Sequence, residues 1–309
     1  MLQSFQIVGL QVLILFILMA IGFTARKVKI LTPEGIKCIT ELMLYVVTPC
    51  LFINSFQQEY NPALIKGFFI AAAAAIICHA IAIGLAILLI RDKDKARRSV
   101  LRFGVVFSNC GYMSLPLQQA LLGKEAVFYG ASYIAAFNIF LWTYGLALMC
   151  NGKERISVKK AILNPGTISV TVGLLLFFLQ VDLPDIIGKP VEYLAALNTP
   201  VPMMIIGYHM ANLNFKKVLR TGNEYIMLVT RLIIMPLLMM GGMYLLGIRG
   251  TLLVSCVISA SAPVAAMGTM YASKYGGAAE FSASSVAIST LISIVTMTLI
   301  VGVATFVAG

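Results

Sequence analysis

The stretch Ser108-Asn109-Cys110-Gly111-Tyr112-Met113-Ser114-Leu115-Pro116 interrupts an apolar run from about Ser99 to Leu122 that otherwise reads as a membrane span. Polar residues, a glycine and a proline stand where lipid-compatible side chains are expected. Pro116 has no N–H for a helix and biases Leu115 away from helical angles. In lipid, backbone groups freed by a break must find partners, so a break survives only inside protein or beside a water-filled cavity. A second interruption, Ser259-Ala260-Ser261-Ala262-Pro263-Val264, falls in an apolar run from about Thr251 to Tyr271. Whether the two form one site decides the function.

The chain has 309 residues, 60% of them hydrophobic and 11% charged, with a mean hydropathy of +0.94. That composition excludes a soluble globular protein. Met1 to Ile21 lacks a basic leader and a small-residue cleavage site, and is expected to be a first span rather than a signal peptide. Ten spans are expected, at roughly 5–24, 36–56, 65–90, 99–122, 126–150, 161–180, 190–212, 223–246, 251–272 and 280–307. Eighteen of the 23 basic residues then fall on one side, in the loops around Arg26–Lys37, Arg91–Arg102, Lys153–Lys160, Lys216–Arg220 and Lys274. By the positive-inside rule that side is cytoplasmic, which places both termini outside a plasma or inner membrane. The net charge of +11 therefore reports topology, and no nucleic-acid partner is expected. The six cysteines share no metal-ligand spacing, so buried thiols are expected, with no disulfide, metal site or cofactor.

The second half of the chain echoes the first. Thr199-Pro200 repeats Thr48-Pro49 at an offset of 151, Pro263 repeats Pro116 at 147, and Gly277-Ala278-Ala279-Glu280 repeats Gly123-Lys124-Glu125 at 155. The halves are residues 1–150 and 161–309, joined by a basic cytoplasmic linker at 151–160. Five spans per half is an odd number, so the halves enter the membrane from opposite sides, and paired interrupted segments in such an inverted repeat point to the binding site. The expected fold is an all-α membrane protein: ten transmembrane helices in two inverted five-helix repeats, with broken helices 4 and 9 crossing.

Each break creates a half-helix whose first N–H groups lack intrahelical partners and whose dipole presents positive potential. Two such ends converging at mid-membrane make an anion site, although unwound carbonyls on the opposite ends can instead hold a cation. The candidate substrate-binding residues are Asn109, Cys110, Gly111, Tyr112, Ser114 and Pro116 in the first break, and Ser259, Ser261, Ala262, Pro263 and Val264 in the second. Asn138 joins them because an amide facing lipid would go unsatisfied. Tyr208 is a weaker cavity-lining candidate. Arg231 and Glu41 are candidates for charge or ion-coupling roles, against the simpler account that both snorkel to the interface. His79 can relay protons or bond to a neighbouring helix. Neither broken span holds an Asp or Glu, which disfavours a paired-carboxylate exchanger. No phosphate-cradling loop or Ser/His/Asp arrangement supports ATP-driven transport or hydrolysis, so no catalytic residues and no enzyme activity are expected.

The first break, together with Ser259–Val264, Tyr271-Ala272-Ser273-Lys274-Tyr275-Gly276-Gly277 and Ser289-Thr290-Leu291-Ile292-Ser293, resembles the auxin efflux carrier family. The likeness extends over the whole chain, without the long central loop of many plant members, so a compact bacterial-type permease is expected. The family sits in the superfamily of bile-acid, arsenite and riboflavin-type transporters. The resemblance implies a scaffold of spans 1, 2, 6 and 7, and a mobile group of spans 3–5 and 8–10 that moves elevator-fashion. It also implies a homodimer, and a substrate crossover marked by Asn109, Pro116 and Pro263. The expected function is secondary active transport of a small organic anion, a mono- or dicarboxylate such as malate or malonate, with H⁺ or Na⁺ as coupling-ion candidates. A channel-like or ligand-sensing membrane protein built on the same crossover is the alternative.

Overall fold

A computed structural model of the chain describes residues 2–59, 61–150, 163, 165–211, 222–275 and 277–309. The basic linker at 151–160 and Lys216, Lys217 and Arg220 lie outside the described residues. The described part is helical: α1 (Leu2–Lys27), α2 (Pro33–Phe56), α3 (Pro62–Leu89), α4 (Lys95–Val106), α5 (Leu115–Leu122), α6 (Lys124–Cys150), α7 (Pro165–Phe178), α8 (Asp185–Ala196), α9 (Pro200–Met210), α10 (Gly222–Leu245), α11 (Gly250–Ser261), α12 (Met267–Tyr275) and α13 (Ala279–Val307). Five of these, α2, α3, α6, α10 and α13, are long and apolar enough to cross a membrane, and α7 and α11 are shorter apolar helices.

Local chemistry sets where several helices begin. Pro33 and Pro62 occupy first-turn positions, where the missing N–H costs nothing. The preceding residues cap the exposed donors: Thr32 Oγ1 accepts from Gly35 N–H at 3.1 Å, and Asn61 Oδ1 from Ala63 N–H at 2.9 Å. Asp94 Oδ1 caps α4 through the N–H groups of Ala96 and Arg97.

Prolines also widen helices in mid-course. Met43–Val47, Cys110–Ser114 and Thr230–Ile234 are π turns, and each is followed two residues later by a proline: Pro49, Pro116 and Pro236. A proline ring clashes with the carbonyl four residues back, and shifting to i→i−5 bonding relieves the clash. Thr48 N–H accordingly reaches Met43 O, and Met235 N–H reaches Thr230 O. A further π turn, Leu141–Gly145, has no proline behind it. The Thr-Pro echo between the halves takes two forms. Pro49 lies inside continuous α2, whereas at Thr199-Pro200 the chain stops α8 and restarts as α9. Pro200 and Pro202 both lack the N–H needed to carry α8 onward.

The packing has a reciprocal pattern. α1 lies along α9, and α7 along α2. α3 packs on α4, and α10 on α11; α5 packs on α6, and α12 on α13. α6 touches α11, and α13 touches α4. Between α1 and α9 the backbones meet: a Cβ at Gly22 would strike the Met204 carbonyl, and one at Gly207 the Met19 carbonyl. Only glycine allows that approach.

Candidate functional site

The two sequence breaks lie against each other. α4 ends at Val106, and Phe107 turns extended at φ −104°, ψ 112°. α11 ends at Ser261, and Ala262 turns extended at φ −62°, ψ 147°. The extended pieces pair antiparallel at Ser108 and Val264. Asn109 N–H donates to Pro263 O at 2.7 Å, and Ala265 N–H to Phe107 O at 2.9 Å. Val264 N–H donates to the Ser289 hydroxyl at 3.1 Å. Each break thus satisfies the other's backbone, which is what irregular chain at membrane depth requires. Beyond the pairing the second halves begin, with the π turn Cys110–Ser114 leading into α5, and with α12 at Met267.

Asn109 sits at the first of these starts. Its backbone is fully used, since its carbonyl also accepts Met113 N–H at 3.0 Å. Its side chain is 5% exposed, and Nδ2 has no partner among the described residues. Beside it, a Cβ built on Gly111 would meet nothing within 4 Å, and Gly111 and Tyr112 are partly exposed. A buried free amide donor, a helix start and open space therefore occur together.

The serines bond within the protein. Ser261 donates to Val257 O of its own helix at 2.6 Å, and Ser114 to Ile258 O across the crossover at 3.3 Å. A serine buried in a helix satisfies its hydroxyl on a nearby carbonyl when no ligand is required of it. These two hydroxyl protons are spent on helix carbonyls. Ser259 accepts from Gln118 Nε2 at 2.8 Å, and Gln118 also donates to Ser255 O at 2.9 Å. Cys110, Pro116, Ala262, Pro263 and Val264 are buried in the crossover itself, while Asn138 on α6 is half-buried. Tyr112 packs with Ile36, Met43 and Val47 of α2 and with Ile205 and Tyr208 of α9.

The charged candidates separate. Glu41 is exposed on α2. Arg231 does not snorkel: it is 1% exposed, with Nη1 donating to Val105 O and Val106 O at 3.3 and 3.2 Å and Nη2 donating to Ala260 O. The π turn ahead of Pro236 holds it in α10, and helix-end carbonyls attract a guanidinium more strongly than the distant interface does. His79 bonds its own helix rather than a neighbour, with Nδ1 at 2.7 Å from Ala75 O. Phe140 stacks on it at 5.1 Å and Phe107, Tyr133 and Phe137 surround it, and its Nε2 has no hydrogen-bond partner among the described residues.

Gln118 and Ser289 carry the crossover and were not singled out as site residues by sequence. Ser289 stands in the Ser-Thr-Leu stretch of the family resemblance, which was its one available signal. A cavity of about 530 Å³ lies elsewhere, lined by Phe56, Gln57, Gln58, Glu59, Phe177 and Asp182 at the ends of α2 and α7. It includes none of the candidate residues.

A helical protein with several membrane-crossing helices and two mutually paired breaks is, as a class, a membrane transport protein. The family described as "Membrane transport protein" matches residues 7–161 and 154–301, and the chain belongs to that family, the auxin efflux carrier family of the sequence resemblance. The chain is similar to an uncharacterized transporter of Methanocaldococcus jannaschii, 24% identical over 300 residues, which cover 93% of this chain and 96% of that one. It is also similar to the "Putative malonate transporter" of Rhizobium meliloti, 24% identical over 304 residues covering 95% and 94%. An uncharacterized transporter of Methanothermobacter thermautotrophicus is 24% identical over 295 residues covering 93% and 95%.

Proposed function

We propose that the protein is a secondary active transporter of a small organic anion, a mono- or dicarboxylate of the malate or malonate type, working by elevator-type alternating access. The observation that carries this reading is the buried, unpartnered Nδ2 of Asn109 at the start of a half-helix in the paired breaks. A carboxylate there receives a charge-assisted hydrogen bond from Asn109, and free N–H groups and dipole from the half-helix start. The name of the Rhizobium relative supports a dicarboxylate.

On this reading the ten spans form two inverted repeats, residues 1–150 and 161–309. The reciprocal packing supports it, because exchanging the halves maps α1·α9 onto α7·α2, α3·α4 onto α10·α11 and α6·α11 onto α13·α4. α1, α2, α7, α8 and α9 form a scaffold, the site of a homodimer contact. α3–α6 and α10–α13 move with the crossover. Both termini face outward, and H⁺ and Na⁺ are the coupling-ion candidates.

The test is uptake of labelled malonate and malate into proteoliposomes. Wild type is expected to show saturable uptake. Asn109→Ala removes one hydrogen bond to a charged ligand, about 2 kcal/mol or roughly a 30-fold rise in the half-saturating concentration. Equal half-saturation for both proteins would remove Asn109 from the site, and unitary currents in place of saturable flux would make the protein a channel.

A further inference from the structure

The largest fully buried side chain among the described residues is a cation at the crossover. The three carbonyls that take Arg231 belong to the last turns of two different helices, Val105 and Val106 of α4 and Ala260 of α11. The last carbonyls of a helix have no intrahelical partner, and each helix C-terminus carries about half a negative charge. Two such ends meeting in a buried place sum to about one negative charge. They present oxygens from two directions, the donor set that a hard monovalent cation takes in place of its water. A guanidinium supplies one positive charge and a planar fork of donors that reaches both helix ends at once.

We infer that Arg231 is the crossover's own cation. Its guanidinium holds the carbonyl site that would otherwise take a monovalent metal ion, so the protein needs no sodium ion there. The inference takes the crossover to be the transport site and adds the chemistry of its carbonyl side. Arg231 acts through α4 and α11 as a positioning residue. By neutralising the C-terminal ends it leaves the positive half-helix starts, with Asn109, as the uncompensated part of the site. The charge also stays fixed to the crossover, since α10 packs on both α4 and α11.

The experiment compares full-length wild type with Arg231→Gly in detergent and in proteoliposomes. Wild-type melting temperature and malonate uptake are expected to be the same in sodium chloride and in choline chloride. Arg231→Gly leaves the carbonyls without their cation and is expected to melt about 10 °C lower. Guanidinium chloride at low millimolar concentration is expected to return at least about half of that loss, by filling the vacated site. Urea at the same concentration, which has the shape without the charge, is expected to return none. A wild type that melts several degrees higher in sodium, or takes up malonate only with sodium, overturns the inference. So does an Arg231→Gly protein that melts like wild type, or one that guanidinium does not rescue. If the glycine variant fails to accumulate, the sodium comparison on wild type alone decides. Melting needs no transported substrate, so a wild type that carries no malonate refutes the substrate class and leaves this inference intact.

Discussion

Gln118 shows how the crossover is held at the level of single side chains. Its Nε2 donates to the carbonyl of Ser255 and the hydroxyl of Ser259, so one buried amide straps α5 to α11. Ser255 in turn donates to Ala126 O at 2.8 Å, and Ser132 to Phe68 O at 2.5 Å, extending the polar contacts into α6 and α3. Gln118→Leu deletes the strap at nearly constant volume. Two neutral hydrogen bonds contribute about 2 kcal/mol, so the melting temperature is expected to fall by several degrees. Thermal unfolding in detergent checks this, and an unshifted transition would mean that the strap contributes nothing. Gly130→Ala should act on the same residue from the other side, because a Cβ there would meet Gln118 Cδ at 3.1 Å and Leu115 Cδ2 at 2.9 Å. At this scale legibility ran out where contacts are distant in sequence. Pro116, Pro263 and Asn109 declare themselves by standing in an apolar run. Gln118 reaches 137 and 141 residues along the chain, and Arg231 reaches 125, and no local spacing encodes such a partner. For the related reason no local spacing tells Ser261, which bonds its own helix at Val257 O, from Ser114, which bonds across to Ile258 O.

Among the elements, the proline-linked π turns place the functional groups. Cys110–Ser114 forms the start of the half-helix beside Asn109, and Thr230–Ile234 carries Arg231. The sequence showed these prolines as punctuation but gave no register, and a π turn changes register by one residue, about 100° of rotation around the helix. That rotation makes Pro236 testable. A proline within a helix is about 3 kcal/mol less favourable than alanine, so Pro236→Ala should leave α10 at least as stable as before. With the ring clash gone, the wide turn can close to ordinary i→i−4 bonding, and Arg231 then swings away from Val105, Val106 and Ala260. Expected is a melting temperature lower by several degrees, because the carbonyls lose their cation, but less than for Arg231→Gly, because the proline's own cost is relieved. Malonate uptake is expected to fall by about tenfold or more, the loss of one to two hydrogen bonds to a charged group. Uptake at the wild-type rate would mean that the π turn does not position Arg231.

For the whole molecule, the proposed elevator movement would have to preserve packing inside each proposed group and break packing between them. α1 and α9 meet backbone to backbone at Gly22 and Gly207, where any slide would drive main chain into main chain. Such a seam belongs inside a rigid scaffold. Tyr112 instead packs against a small apolar cluster that includes Ile36 of α2 and Ile205 and Tyr208 of α9, separate from the main core. Side-chain packing of that kind can be left and remade as the crossover moves. The two seams therefore predict opposite results under cross-linking. The cysteine pair Tyr112→Cys with Ile205→Cys, in a background where the six native cysteines are alanine, joins the crossover to the scaffold. Bridging it with a short bismaleimide is expected to abolish malonate uptake measured on the same protein before treatment. A pair across the α1–α9 seam, bridged in the same way, is expected to leave uptake within about twofold, because nothing there has to move during the cycle. Uptake that survives the first bridge would fix the crossover to the scaffold throughout transport, and substrate would then have to pass by gating around a stationary site.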